Sequence, residues 1–205
     1  MILIASIDAD GNWVPGLGDN TIYGWGITLA YGLGVWVCVR AGRRERAALR
    51  SGAAGLHPLF WLLMTFGLAF LCVNKQLDLQ TLLAQTGRRT ARDMGWYEQR
   101  RALQAMFIGA VALGAAASVG VVAWWIRGSL RRYGLAAIGA GYLAVFIVMR
   151  AASFHHIDSV LYHIPGLGMF VNRGLELLGI GSIAWGAWRA GRGSAGRGRA
   201  AGAGG

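Results

Sequence analysis

The chain has 205 residues, is 55% apolar and 14% charged, and carries a formal net charge of +11. A soluble domain holds about 25% charged residues. This composition, with 33 Gly and 9 Trp, therefore argues against a soluble globular protein and for a membrane one.

The N-terminal stretch "MILIASIDAD" has no basic region before its short apolar run, so it makes a poor signal peptide. The first spanning segment is expected to act as the insertion signal. A membrane-crossing helix takes about 20 largely apolar residues. Five segments approach that length: 22–39, 58–73, 103–126, 133–149 and 167–188, the last interrupted by polar residues. None alternates with a period of two, which argues against a β-barrel.

Between the second and third segments lies a loop, 74–102. Within it "LDLQTLLAQTG" sets Leu79, Leu82 and Leu83 on one face of a short amphipathic helix. That helix is expected to lie on the membrane and to end at Gly87. Residues 1–189 form one membrane domain. Residues 190–205 are Gly, Ala, Arg and Ser only, and a disordered basic tail is expected there.

The basic residues predict the orientation. "RAGRRERAALR" after the first span, "RGSLRR" after the third and the tail after the fifth hold twelve Arg against one acid, Glu45. The rest of the chain holds Lys75 and seven Arg against eight acids, and so is neutral. The positive-inside rule then places all three basic segments inside. The expected fold is all-α: a polytopic bundle of five transmembrane helices plus one amphipathic outer-face helix, N-terminus out and C-terminus in. Topology thus accounts for the positive charge, and no nucleic-acid partner is expected. Trp36, Trp61, Trp124, Trp125, Trp185 and Trp188 fall near inner ends, and Tyr23, Trp25, Trp96, Tyr97 and Tyr162 near outer ones, as in an interfacial aromatic belt. The small pairs Ala110/Gly114, Ala116/Gly120 and Ala137/Gly141 permit close helix contact.

Counting about 20 helical residues from each inner end gives a depth to the polar residues. Asn74 and Lys75, the only lysine in the chain, fall just inside the outer boundary of the second span. Arg150 takes the same depth on the fourth, with Ser153, His155, His156 and Asp158 following. Asn172, Arg173 and Glu176 lie one to two turns inside on the fifth. A charge at such depth costs several kcal/mol unless it pairs or lines a wet cavity. Arg173 and Glu176 can pair at i,i+3. Lys75 can reach Asp78 along its helix, or Glu176 or Asp158 across helices. The candidate ligand-binding set is Asn74, Lys75, Asp78, Arg150, Asn172, Arg173 and Glu176.

The segment "RAASFHHIDSVLYHIPGLG" carries three of the four histidines. His155 and Asp158, at i,i+3, can chelate, whereas His156 and His163 are about 10.5 Å apart along a helix axis. One zinc with bonds near 2.1 Å cannot bridge that distance, so a metal set of His155, His156, Asp158 and His163 requires a chain break or a further ligand. No CxxCH haem motif occurs, and Cys38 and Cys72 form no zinc spacing. Nucleophilic catalysis has Ser153 with a neighbouring His, and Asp158 as orienter, among its candidates, with no GxSxG elbow.

"SFHHID" resembles the Ser, His and Asp set of the alkaline-ceramidase-like membrane hydrolases over those few residues. Those proteins have seven spans and a separate late His pair that this chain lacks, so no roles transfer. "GWYEQRR", "NKQLDLQ" and "RAASFHHID" together resemble an uncharacterised family of small bacterial multi-pass inner-membrane proteins. That resemblance implies the membrane class and nothing more specific; a bacterial inner-membrane location is expected, and no activity.

Three functions follow as expectations. The first is a binding protein whose outward polar pocket takes a small polar ligand or lipid headgroup, with no cofactor and with membrane lipid as partner. The second is a zinc-dependent membrane hydrolase using the His/Asp cluster. The third is a structural or assembly subunit that meets other membrane subunits.

Overall fold

The computed structural model describes residues 6–7, 13–14, 21–54, 56–77, 86, 90, 100–152 and 167–203. A two-residue antiparallel pairing, Ser6–Ile7 (β1) with Trp13–Val14 (β2), precedes the helices. The architecture is otherwise helical: α1 (Ile22–Arg50), α2 (Pro58–Leu77), α3 (Arg100–Ile126), α4 (Leu130–Ala152) and α5 (Leu167–Ala203). The expected amphipathic helix at 79–87 lies, apart from Thr86, outside the described residues.

Local chemistry sets the helix ends. The Thr21 hydroxyl accepts from Gly24 N–H at 3.0 Å, capping orphan donors of α1. At the other end Gly52 has φ +87°. Gly52 N–H donates to Leu49 C=O and Ala53 N–H to Ala48 C=O, the two bonds of a Schellman motif. Pro58 opens α2 at the first helical position, where its missing N–H costs nothing. Helix α1 therefore runs ten residues past Arg40, through a segment expected to be a loop. Its buried stripe simply continues: Tyr31, Gly34, Cys38, Ala41, Glu45 and Ala48. Helix α5 likewise continues to Ala203, across residues whose composition predicts disorder.

Among the described residues three helical stretches are long and apolar enough to cross a membrane: Ile22–Arg50, Pro58–Leu77 and Gly109–Val148. The third folds back at the 3-10 turn Arg127–Ser129. A Cβ on Gly141 would lie 3.8 Å from a methyl of Val119, whereas 22 residues of straight helix span about 33 Å. Helix α4 thus packs antiparallel on α3. The other directions follow from similar contacts. Gly42 meets Trp61 while Thr28 meets Gln76, so α1 and α2 are antiparallel. Tyr31 meets Glu176 while Ala41 meets Gly191, so α1 and α5 are parallel. Gly179 meets Leu143 while Gly186 meets Ala136, so α5 and α4 are antiparallel. Helices α1, α3 and α5 run one way and α2 and α4 the other.

The tightest helix approach is between α4 and α5. A Cβ on Gly139 would sit 2.9 Å from Gly179 C=O, and one on Gly179 would sit 2.6 Å from Leu143. These glycines, rather than Gly114 and Gly120, make the close contact. A Cβ on either of the latter would meet nothing. The core is aromatic at one end. Phe60, Trp61 and Tyr133 are fully buried, with ring centroids 4.9–5.6 Å apart. Trp61 is therefore a core residue and not part of an interfacial belt. Trp36, Trp124, Trp185 and Trp188 do face outward. So do Phe66, Phe70, Met106, Leu113 and Val121, apolar faces suited to lipid.

Candidate functional site

Two carboxylates are buried among the described residues, Glu176 and Glu45. They lie toward opposite ends of the bundle, and each organises a small polar cluster.

The first cluster joins α1, α2 and α5. Lys75 Nζ is 3.2 Å from Glu176 Oε2, and Tyr31 O–H donates to Oε1 at 2.9 Å. Both carboxylate oxygens are thereby engaged. Tyr31 reaches Glu176 because both lie on the stripes where α1 and α5 pack. One helical turn from Tyr31, Thr28 O–H donates to Gly24 C=O at 2.9 Å and accepts from Gln76 Nε2 at 2.5 Å. The Gln76 Oε1 atom is buried and has no partner among the described residues. An unmet buried acceptor costs about 1–3 kcal/mol.

The cross-helix pair Lys75–Glu176 is one of the pairings expected. The i,i+3 pairing of Arg173 with Glu176 is not made. The Arg173 guanidinium lies 4.8 Å over the Tyr23 ring instead, while Glu176 pairs across helices. Asn74 is partly buried on α2. Arg150 and Asn172 lie on α4 and α5, with side chains outside those described. Asp78, Ser153, His155, His156, Asp158 and His163 also lie outside the described residues. Among the described residues, no three His, Cys, Asp or Glu side chains come together as a metal set. What is described is a closed ion pair bordered by an unmet acceptor.

The second cluster joins α1, α4 and α5 and went unforeseen. Glu45 Oε1 accepts from Arg132 Nε, and Oε2 from Tyr133 O–H, both at 2.8 Å. Tyr133 Oη in turn accepts from the backbone N–H of His57 at 2.8 Å. Arg132 Nη2 donates to Ala190 C=O at 2.7 Å. The His57 ring packs edge-on to Trp125 and Tyr133. Glu45 was read as one more loop charge. The signal that places it was the run of small residues at 38, 41, 42 and 48, which carries the packing stripe beyond the apolar segment.

Cys38 and Cys72 are free thiols. Cys72 Sγ lies 3.9 Å from Thr28 C=O, ten residues along α1 from Cys38. Comparison with protein-family models, with curated proteins and with solved structures finds no match to the chain.

Proposed function

We propose that the chain is a multi-pass protein of a bacterial inner membrane that crosses it five times, N-terminus out and C-terminus in. In this reading the Lys75 end faces outward and holds a small polar ligand or lipid headgroup. Alternating helix directions and outward apolar faces support five crossings. The excess of Arg on one side supports the orientation.

One observation carries the binding reading. Lys75, Glu176 and Tyr31 converge from three helices, and beside them Gln76 buries an oxygen that has no donor among the described residues. Ionisable groups at membrane depth mark functional sites by default. The donor this site lacks is one that a ligand hydroxyl or ammonium supplies. Asp78, Arg150, Asn172 and Arg173 belong to the same proposed layer.

A second observation favours the structural reading. The Glu45 cluster repeats the same parts, a Glu, a Tyr and a cation, with both carboxylate oxygens bonded, although Trp61 Nε1 beside Tyr133 is likewise buried without a described partner. By analogy the Lys75 cluster would only fasten helices in an assembly with other membrane subunits. The zinc hydrolase reading rests on His155, His156, Asp158 and His163 alone.

Native mass spectrometry of the full chain released from lipid nanodiscs separates these readings. Binding predicts a non-covalent adduct that Gln76→Leu abolishes while the protein stays folded. No adduct, with Gln76→Leu at least as stable as the parent, leaves the fastener. Stoichiometric zinc that disappears on replacing His155 and His156 with Ala points to the hydrolase.

A further inference from the structure

Toward the Glu45 end, α1 and α5 leave a cleft of about 440 Å³ between them, inside the roughly 300–1,000 Å³ range of small-molecule sites. Its walls repeat one device on two parallel helices. On α1, Trp36 is followed four residues on by Arg40, whose guanidinium lies 4.9 Å over the indole. On α5, Trp188 is followed four residues on by Arg192, 3.7 Å over its ring. Arg44, one further turn along α1, completes the wall, and Gly191 makes room for it. A Cβ on Gly191 would lie 3.4 Å from Arg44 Nη1. No carboxylate lines the cleft, and Glu45 is engaged by Arg132 and Tyr133.

The depth is equally specific. Arg40 stands 18 residues after Ile22, which is about 27 Å of helix, close to the thickness of a hydrocarbon core. Trp36 is 56% exposed and Trp188 39% exposed. They sit where indoles occupy the interface, and the arginines extend from them toward the headgroups. Guanidinium forks match phosphate oxygens in geometry as well as charge. We infer that this cleft binds the phosphate headgroup of an anionic phospholipid, with its acyl chains running along the exposed faces of Trp36 and Trp188. The site lies at the opposite end of the bundle from the Lys75 cluster and does not depend on that cluster's role.

The test titrates the full-length protein, in a neutral detergent, with phosphatidylglycerol or phosphatidylcholine and reads bound lipid by native mass spectrometry. The parent retains phosphatidylglycerol in preference. Arg40→Gln, Arg44→Gln and Arg192→Gln each weaken that retention by about fivefold, and the triple variant loses the preference. The control triple Arg43→Gln/Arg46→Gln/Arg50→Gln removes as many charges from exposed positions on α1, and it retains the preference. Gly191→Leu keeps every charge, fills the cleft and loses the preference, so it serves where the triple variant fails to fold. Equal retention of the two lipids by the parent overturns the inference. So do equal losses in both triple variants, an intact preference in Gly191→Leu, or inorganic phosphate binding as tightly as phosphatidylglycerol.

Discussion

The two buried glutamates use the same parts and differ in how fully those parts are satisfied. In each cluster the cation's side chain is 13% exposed, so burial of the positive charge does not separate them. The partners do. Arg132 divides two bonds between Glu45 and Ala190 C=O, and Tyr133 both donates to Glu45 and accepts from His57. Lys75 makes one described bond, to Glu176, and its neighbour Gln76 keeps a buried oxygen without a described donor. A closed network can hold helices together and do nothing else. One with an unmet acceptor can take a further donor.

The largest contrast is expected on removing the carboxylates. Glu45→Ala strands a guanidinium, which cannot lose its proton, and takes away the acceptor of a buried phenol. Breaking a buried pair in this way costs about 3–5 kcal/mol. Glu176→Ala strands an ammonium whose flexible stem can extend toward water, so the loss is smaller, about 2–3 kcal/mol. Unfolding of each variant in mixed micelles, followed by Trp fluorescence, measures the difference. Equal losses would break the comparison, and a larger loss for Glu176→Ala would reverse it.

The reason one cluster was legible and the other was not is physical. Membrane depth can be counted from an apolar run, and a charge inside that count must find a partner. Glu176 was therefore among the partners expected for Lys75, with Asp78 and Asp158. Glu45 lies beyond the apolar run, among five arginines, where topology rules count charge and ignore direction. Only the stripe of Cys38, Ala41, Gly42 and Ala48 shows that the helix goes on packing. The two tyrosines gave weaker signals still, since a Tyr in an apolar stretch reads equally as core or interface. Small-residue spacing could not choose the tight helix contact, because Gly and Ala occur everywhere in the chain. Gly139 and Gly179 make that contact because Leu143 and Ser182 lie opposite them. The helix ends were written in Thr21 and Ser51–Gly52, signals of capping chemistry that a search for apolar segments passes over.

The tyrosines give the next contrast. Tyr133→Phe loses the bond to Glu45 and leaves the His57 N–H without its acceptor, at a cost of about 2–3 kcal/mol for two buried bonds. Tyr31→Phe removes the bond to Glu176, which keeps Lys75, and that bond accounts for about 1–1.5 kcal/mol. The same unfolding assay reads both. If Tyr31→Phe is the costlier change, Tyr31 serves more than the single bond to Glu176.

The smallest contrast is the most discriminating. Arg132→Lys keeps the charge but replaces a fork that bonds two groups in different directions with a point charge that reaches one. Either Glu45 Oε1 or Ala190 C=O then loses its bond from this side chain, and a loss of about 1–1.5 kcal/mol follows. Lys75→Arg places a fork where one described bond is made. If the surroundings are as open as the unmet Gln76 oxygen suggests, the added N–H groups find that acceptor, and stability changes by less than about 0.5 kcal/mol or rises. A closed, well-packed site instead forces the larger guanidinium against its neighbours and costs about 1–3 kcal/mol. Paired melts of Arg132→Lys and Lys75→Arg thus compare the packing of the two ends independently of any ligand. A larger loss for Lys75→Arg would make that end a fastener like the other, and would remove the room that a bound ligand needs.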